Sequence, residues 1–118
     1  MTFRFKNFKV YQDSKRFTRR CLRIIQRYIK KKNPGLASQI ERALISIVLN
    51  IAEGSAGDSD ADFARFLGVS IKSVNEVAAG FDLANDLGLI TGTCLQEIEM
   101  EAENLLKQLS SFRKRLKS

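Results

Sequence analysis

The chain has 118 residues and a mass of 13.3 kDa, enough for one domain with its own core and little more. With 44% hydrophobic and 28% charged residues, seven glycines and one proline, it is too apolar for a disordered tail and too poor in turn residues for a many-stranded barrel or sandwich. It has no histidine, which excludes imidazole acid–base chemistry, histidine-dependent triads and His/Cys zinc patterns, and its net charge of +7 is unevenly spread along the chain.

Residues 1–33 hold twelve basic groups against Asp13 alone; residues 34–106 hold twelve carboxylates against Arg42, Arg65 and Lys72. The last twelve residues add five cations and no acid. Such a separation can steer a polyanion to one face, or one subunit onto another.

The first eight residues, with Phe3, Phe5 and Phe8, read as a short arm. A first helix is expected over about 9–31, ending before Asn33-Pro34-Gly35. At about 100° per residue, Val10, Ser14, Phe17, Cys21, Ile24, Ile25, Tyr28 and Ile29 share one broad face. Lys9, Arg16, Arg20, Arg23, Arg27 and Lys30 share the opposite one. A second helix is expected over about 35–53, apolar on several sides in its late part and so buried on several sides. Gly54–Asp58 reads as a turn, and Asp58 or Ser59 as the cap of a third helix over about 59–87. Its seam of Phe63, Leu67, Ser70, Val74, Val77, Phe81 and Ala84 advances by threes and fours, and Gly68 and Gly80 imply close approach of another helix. A fourth helix over about 94–116, capped by Thr91 or Thr93, carries Leu95, Ile98, Ala102, Leu105, Leu109 and Phe112, with acids early and bases late as the helix dipole favours. Four such helices joined by short turns specify an all-α, antiparallel up-down-up-down four-helix bundle spanning residues 1–118 as one domain.

The six-cation stripe of the first helix is the leading candidate site. An ordinary solvated face intersperses acids, and this stripe has none, so Lys9, Arg16, Arg20, Arg23, Arg27 and Lys30 are expected to touch nucleic-acid phosphates, assisted by Arg113, Lys114, Arg115 and Lys117. RNA and DNA are both open as partners, and an acidic protein surface is the competing one. Stacking aromatics are few, Tyr11, Tyr28 and the phenylalanine arm, which leaves sequence-specific reading of single-stranded bases poorly supported. A second candidate is the polar row Ser46, Asn50 and Glu53, at i, i+4 and i+7, either a ligand pocket or a set of cross-bundle hydrogen bonds; the structural reading is favoured. No catalytic or metal site is expected, since carboxylates do not converge and "GSAGDSD" lacks the phosphate-loop pattern and precedes an acidic helix start. Cys21 and Cys94 read as small buried hydrophobes rather than a redox pair. The amino terminus carries charge throughout, unlike a secretory signal, and the longest apolar stretch, 43–52, is ten residues where a membrane span needs about 20. A cytoplasmic protein with no cofactor, no enzymatic activity and no membrane contact is the expectation.

The segments "VYQDSKRF", "LASQIERALISIVLNIAEGSAGDSDADFARFLGVSIKSVNEV" and "ANDLGLI" resemble the family of small four-helix-bundle proteins first noticed as reading frames in intervening sequences of bacterial 23S ribosomal RNA genes. The likeness covers about residues 8–112 and is strongest at Gln39, Arg42, Ala43, Ser46, Ile47, Asn50, Ile51, Ala52, Glu53 and Gly54, continuing through Phe63, Arg65, Phe66, Leu67, Ser73 and Glu76. Val48 stands where the family usually has proline, and "GSAGD" where it has an arginine-bearing glycine turn. More distantly, the chain is similar to the accessory subunit of diversity-generating retroelements. That likeness implies a homo-oligomer, five copies in a ring, with a basic surface that binds reverse transcriptase and RNA.

Overall fold

The computed structural model describes residues 2–118, among which there is no strand. Four helices follow one another: α1 (Lys9–Ile24), which runs on into a π turn (Ile25–Ile29), α2 (Pro34–Ser55), α3 (Asp60–Asp86) and α4 (Gly92–Lys117). Each packs antiparallel to its sequence neighbours, and α4 returns to α1. Lys30 meets Glu41, Ser70 bonds Ile47, Arg113 bonds Ala64, and Gln108 bonds Asp13. The bundle measures 44 × 23 × 20 Å, with α1 and α3 on one diagonal.

The helix ends follow from local chemistry. Pro34 opens α2 rather than sitting in the preceding turn, because its fixed φ and missing N–H suit the first helical position. The Asn33 side chain caps it by accepting from Leu36 N at 3.1 Å. Ser59 caps α3 and Thr91 caps α4, each accepting at 3.1 Å from an amide three residues on. Gly88, at φ 77°, ends α3 in the left-handed conformation and lets Leu89 N reach Ala84 O at 2.9 Å.

The first helix departs from the expected 9–31. A single residue is inserted at the π turn, so the core position passes from Tyr28 to Ile29, which is fully buried while Tyr28 is 46% exposed. The arm before α1 makes one 3-10 turn, Arg4–Asn7, and folds onto the bundle. Arg4 donates to Ser55 O at 3.1 and 2.9 Å, closing the carboxyl end of α2, and lies over Phe8 and Phe63. Phe8, Phe63 and Phe112 pack with centroids 5.1–6.1 Å apart.

The core is filled by Leu44, Ile47 and Ile51 of α2, Leu67, Val74, Val77 and Phe81 of α3, and Ile98 and Leu109 of α4. The two glycines of α3 have different surroundings. A Cβ on Gly80 would lie 2.5 Å from Ile40 Cγ1, the close approach expected of it, whereas one on Gly68 would come no nearer than 3.4 Å to anything, its neighbour being the Arg113 guanidinium. In length and mean hydropathy, 1.2 over its most apolar window, α2 also meets the measure of a membrane span. Ile40, Leu44, Ile47 and Ile51 lie in the core, but only a third of that window is buried and Ile45 and Leu49 are about half exposed, so α2 is buried on one side and not on the several sides expected from its composition.

Candidate nucleic-acid interface

Helix α1 presents its cations to solvent, but they fall into two sets. Towards its amino end, Lys9 and Arg16 both pair with Asp13, at 2.6 and 2.8 Å, one turn away on either side. Gln108 of α4 adds a third donor at 2.9 Å. The Lys9 hydrogen bond leads in holding the Asp13 carboxyl below the usual aspartate value, against a smaller opposing effect of burial, and Gln108 and Arg16 assist. Arg20 reaches across to α4, where it pairs with Glu97 at 2.7 Å and with Glu101. The second Glu101 oxygen, Oε2, is buried without a hydrogen-bond partner.

Beyond Arg20 carboxylates are sparse. Lys30 approaches Glu41 at 3.7 Å, but among the described residues no carboxylate pairs with Arg23, Arg27, Lys31 or Lys32, nor with Arg19 on the α2 side of the helix. Arg27 instead lies 5.3 Å from the Tyr28 ring centroid. Lys31 and Lys32 sit exposed in the turn that follows the π turn.

The carboxyl-terminal bases do not join this set. Because α4 runs antiparallel to α1, they lie at the opposite end of the molecule, where Lys9, Lys107, Phe8, Phe112 and Arg115 line an open groove of about 710 Å³. Arg113 is turned inward to Ala64 O at 3.1 Å, and Arg115 rests on Phe112 and Ser111. Lys114 and Lys117 are exposed, with no ion-pair partner among the described residues.

The polar row of α2 is brought together in part. Asn50 Nδ2 donates to Ser46 O and Oγ at 2.9 and 3.0 Å, and Ser73 of α3 bonds Ser46 Oγ at 2.8 Å. With Ser70 bonded to Ile47 O, these contacts knit α2 to α3, while Glu53 stands apart and exposed. Cys21 is buried and Cys94 half-buried, both as free thiols, and burial pushes the Cys21 thiol well above its ordinary pKa. No group of three or more Cys, Asp or Glu side chains able to hold a metal ion occurs among the described residues.

Sequence reasoning missed the pairing of Arg20, which depends on which helix lies beside α1, and the exposure of Tyr28. The Asp13 pairs were within reach, because Lys9 and Arg16 stand at i−4 and i+3 from it.

The molecule is thus a small antiparallel four-helix bundle with a basic surface divided by a belt of ion pairs. Over residues 6–111 the sequence matches the family described as 23S rRNA-intervening sequence protein, and the chain belongs to that family. A crystal structure of a protein of unknown function, from the S23 ribosomal protein family of Bacteroides thetaiotaomicron VPI-5482, shares the fold. Its TM-score is 0.79 at 27% identity, over 89% of this chain and 98% of that one. No curated protein matches the sequence.

Proposed function

We propose that this chain is a non-catalytic nucleic-acid-binding scaffold of the cytoplasm that works as a homo-oligomer. The observation that carries the reading is the set Arg19, Arg23, Arg27, Lys31 and Lys32, five cations within 14 positions and, among the described residues, no carboxylate pairing with them. Like charges held together repel, and a phosphate backbone relieves that repulsion while releasing counterions. An enzymatic role finds no support in the side chains: there is no histidine, the one fully buried thiol is held protonated, and Ser46 and Asn50 of the α2 polar row are engaged in internal hydrogen bonds, with Glu53 apart from them.

Self-association is favoured by two unlike exposed surfaces. Ile45 and Leu49 of α2, 49% and 59% exposed, adjoin Lys15 and Arg19 across an apolar groove, and half-exposed Leu83 of α3 and Leu87 just past its end adjoin Asp82 and Asp86 in sequence. Surfaces of opposite charge on one chain suit a head-to-tail contact, which closes a ring when the rotation allows; five copies is the number the family resemblance implies.

The nucleic-acid reading is tested by titrating RNA and DNA oligomers over a salt series against wild type and R23E/R27E/K31E/K32E. Wild-type affinity should fall linearly in log–log with salt, by about 0.7 per phosphate contact for single strands and about 0.9 for duplex. The variant should lose most of that affinity, and Arg16→Ala, whose partner is Asp13, should lose little. Binding that survives the quadruple reversal, or a wild type that binds nothing below about 10 μM at low salt, overturns the reading.

A further inference from the structure

The π turn puts Tyr28 where an unbroken helix would not. In a regular helix positions 21, 24, 25 and 28 share a face, and Cys21 and Ile25 are fully buried. The extra residue hands the next core position to Ile29 and turns the Tyr28 ring out to solvent, with no hydrogen bond holding its hydroxyl among the described residues. An isoleucine in place of a tyrosine explains the core side of this exchange. It does not explain why the displaced residue is a large aromatic lying among unpaired cations rather than one more polar group.

The other tyrosine offers a comparison. Tyr11 is covered, edge-on against Phe5 at 4.9 Å with Lys15 Nζ 4.9 Å from its centroid. Tyr28, 46% exposed, has the Arg27 guanidinium 5.3 Å from its ring centroid and no aromatic ring packed on it, and Arg23, Lys31 and Lys32 flank it in sequence with no carboxylate pairing among the described residues. An exposed aromatic face inside an unpaired cationic field is the arrangement that binds single strands: the cations follow the phosphates and an unpaired base stacks on the ring, with the arginine adding a cation–π contribution. In a duplex the base faces are stacked on each other and closed to such a ring. π turns inside helices occur frequently at functional sites.

We infer that Tyr28 is a stacking platform for single-stranded nucleic acid, with Arg23, Arg27, Lys31 and Lys32 holding the phosphates on either side of the stacked base. This rests on the nucleic-acid reading above and adds the strandedness and the contact. Recognition is by ring face, so it tolerates any base.

The test uses the full chain, a short poly(dT) strand and a duplex of equal phosphate count. The wild type should prefer the single strand. Tyr28→Ala should weaken the single strand about 5- to 150-fold, the range for losing one stacked base, while changing duplex affinity by less than about twofold and leaving the salt slope as it was. Tyr28→Phe should keep the affinity. The chain has no tryptophan and two tyrosines, so emission reports the stack directly. The strand should quench it in wild type and in Y11F but not in Y28F. Unchanged helicity in Y28A excludes a folding defect. Equal losses on both substrates, no loss in Y28A, or a wild-type preference for duplex overturns the stacking inference alone. Absence of any wild-type binding fails the nucleic-acid reading and this inference with it.

Discussion

Substituting alanine at the two interior glycines of α3 should move stability in opposite directions. Neither glycine needs its conformational freedom, since both have ordinary helical φ, and alanine in a helix interior is favoured over glycine by about 1 kcal/mol. At Gly68 little opposes that gain: the nearest atom to an added Cβ is Arg113 Nε at 3.4 Å, an ordinary van der Waals contact that leaves its hydrogen bond to Ala64 O in place. Gly68→Ala should therefore stabilise by about 0.5–1 kcal/mol. At Gly80 the new methyl meets Ile40 Cγ1 at 2.5 Å and Cδ1 at 3.0 Å, and Ile40 is 1% exposed with nowhere to swing. Overpacking of this kind costs about 1–3 kcal/mol, so Gly80→Ala should destabilise by about 1 kcal/mol net. The two variants should then differ by about 2 kcal/mol, or about 6–12 °C in Tm for a chain of this size. Far-UV circular dichroism melts at one fixed protein concentration would measure it. Adding Ile40→Ala removes the atom in the way, so the double variant G80A/I40A should be less unstable than the sum of its parts. A G80A protein melting at or above G68A would refute the claim that Ile40 closes that space.

Asp13 should contribute its full stabilisation above its unfolded pKa and lose it as the pH falls on through the lower folded one. Its carboxyl is held below the ordinary 3.8 in the folded chain, so the unfolded state binds the proton first as the pH falls. The gap in Tm between wild type and Asp13→Asn should be open at neutral pH and close as the pH drops below about 3.8; a gap that widens on acidification would contradict the sign. For the assembly, light scattering of the wild type should give a multiple of 13.3 kDa, and D82R/D86R and L49E should each reduce it. Mixing those two variants, which spoil different surfaces, should restore dimers but no larger species if the contact is head-to-tail. A wild-type monomer at tens of micromolar removes the proposal.

The four helices were legible because each carries its own apolar stripe, and a stripe at period 3.6 is a statement about one segment that needs no knowledge of its neighbours. The caps at Ser59 and Thr91 were legible for the same reason. The π turn was not. Tyr28 and Ile29 compete for one core position, both are acceptable helix residues, and the outcome depends on the volume left between α1, α2 and α4. The interface was half legible. The cations are written in the sequence, but whether each is free depends on the α1–α4 register, which places Arg20 opposite both Glu97 and Glu101.

That register also bears on why opposite charges survive unpaired on a single chain. Of the four glutamates crowding the first half of α4, only Glu97 and Glu101, one turn apart, face α1; Glu99 and Glu103 are carried to other sides by the same periodicity. The acids Asp82 and Asp86 end α3, which runs parallel to α1, so they lie at the same end of the bundle as Arg27, Lys31 and Lys32 but across its diagonal. The bundle is 20–23 Å thick there, against a screening length of about 8 Å at physiological salt, so the two sets neutralise each other little within the molecule. Charges that cannot be satisfied internally, on a fold stable enough to hold them apart, are left to groups from outside. On the reading proposed above, phosphates take the cationic side, where Tyr28 would give a base a surface to lie on. The acidic side, with Leu83 and Leu87 beside it, suits the basic and apolar groove between α1 and α2 of a second copy.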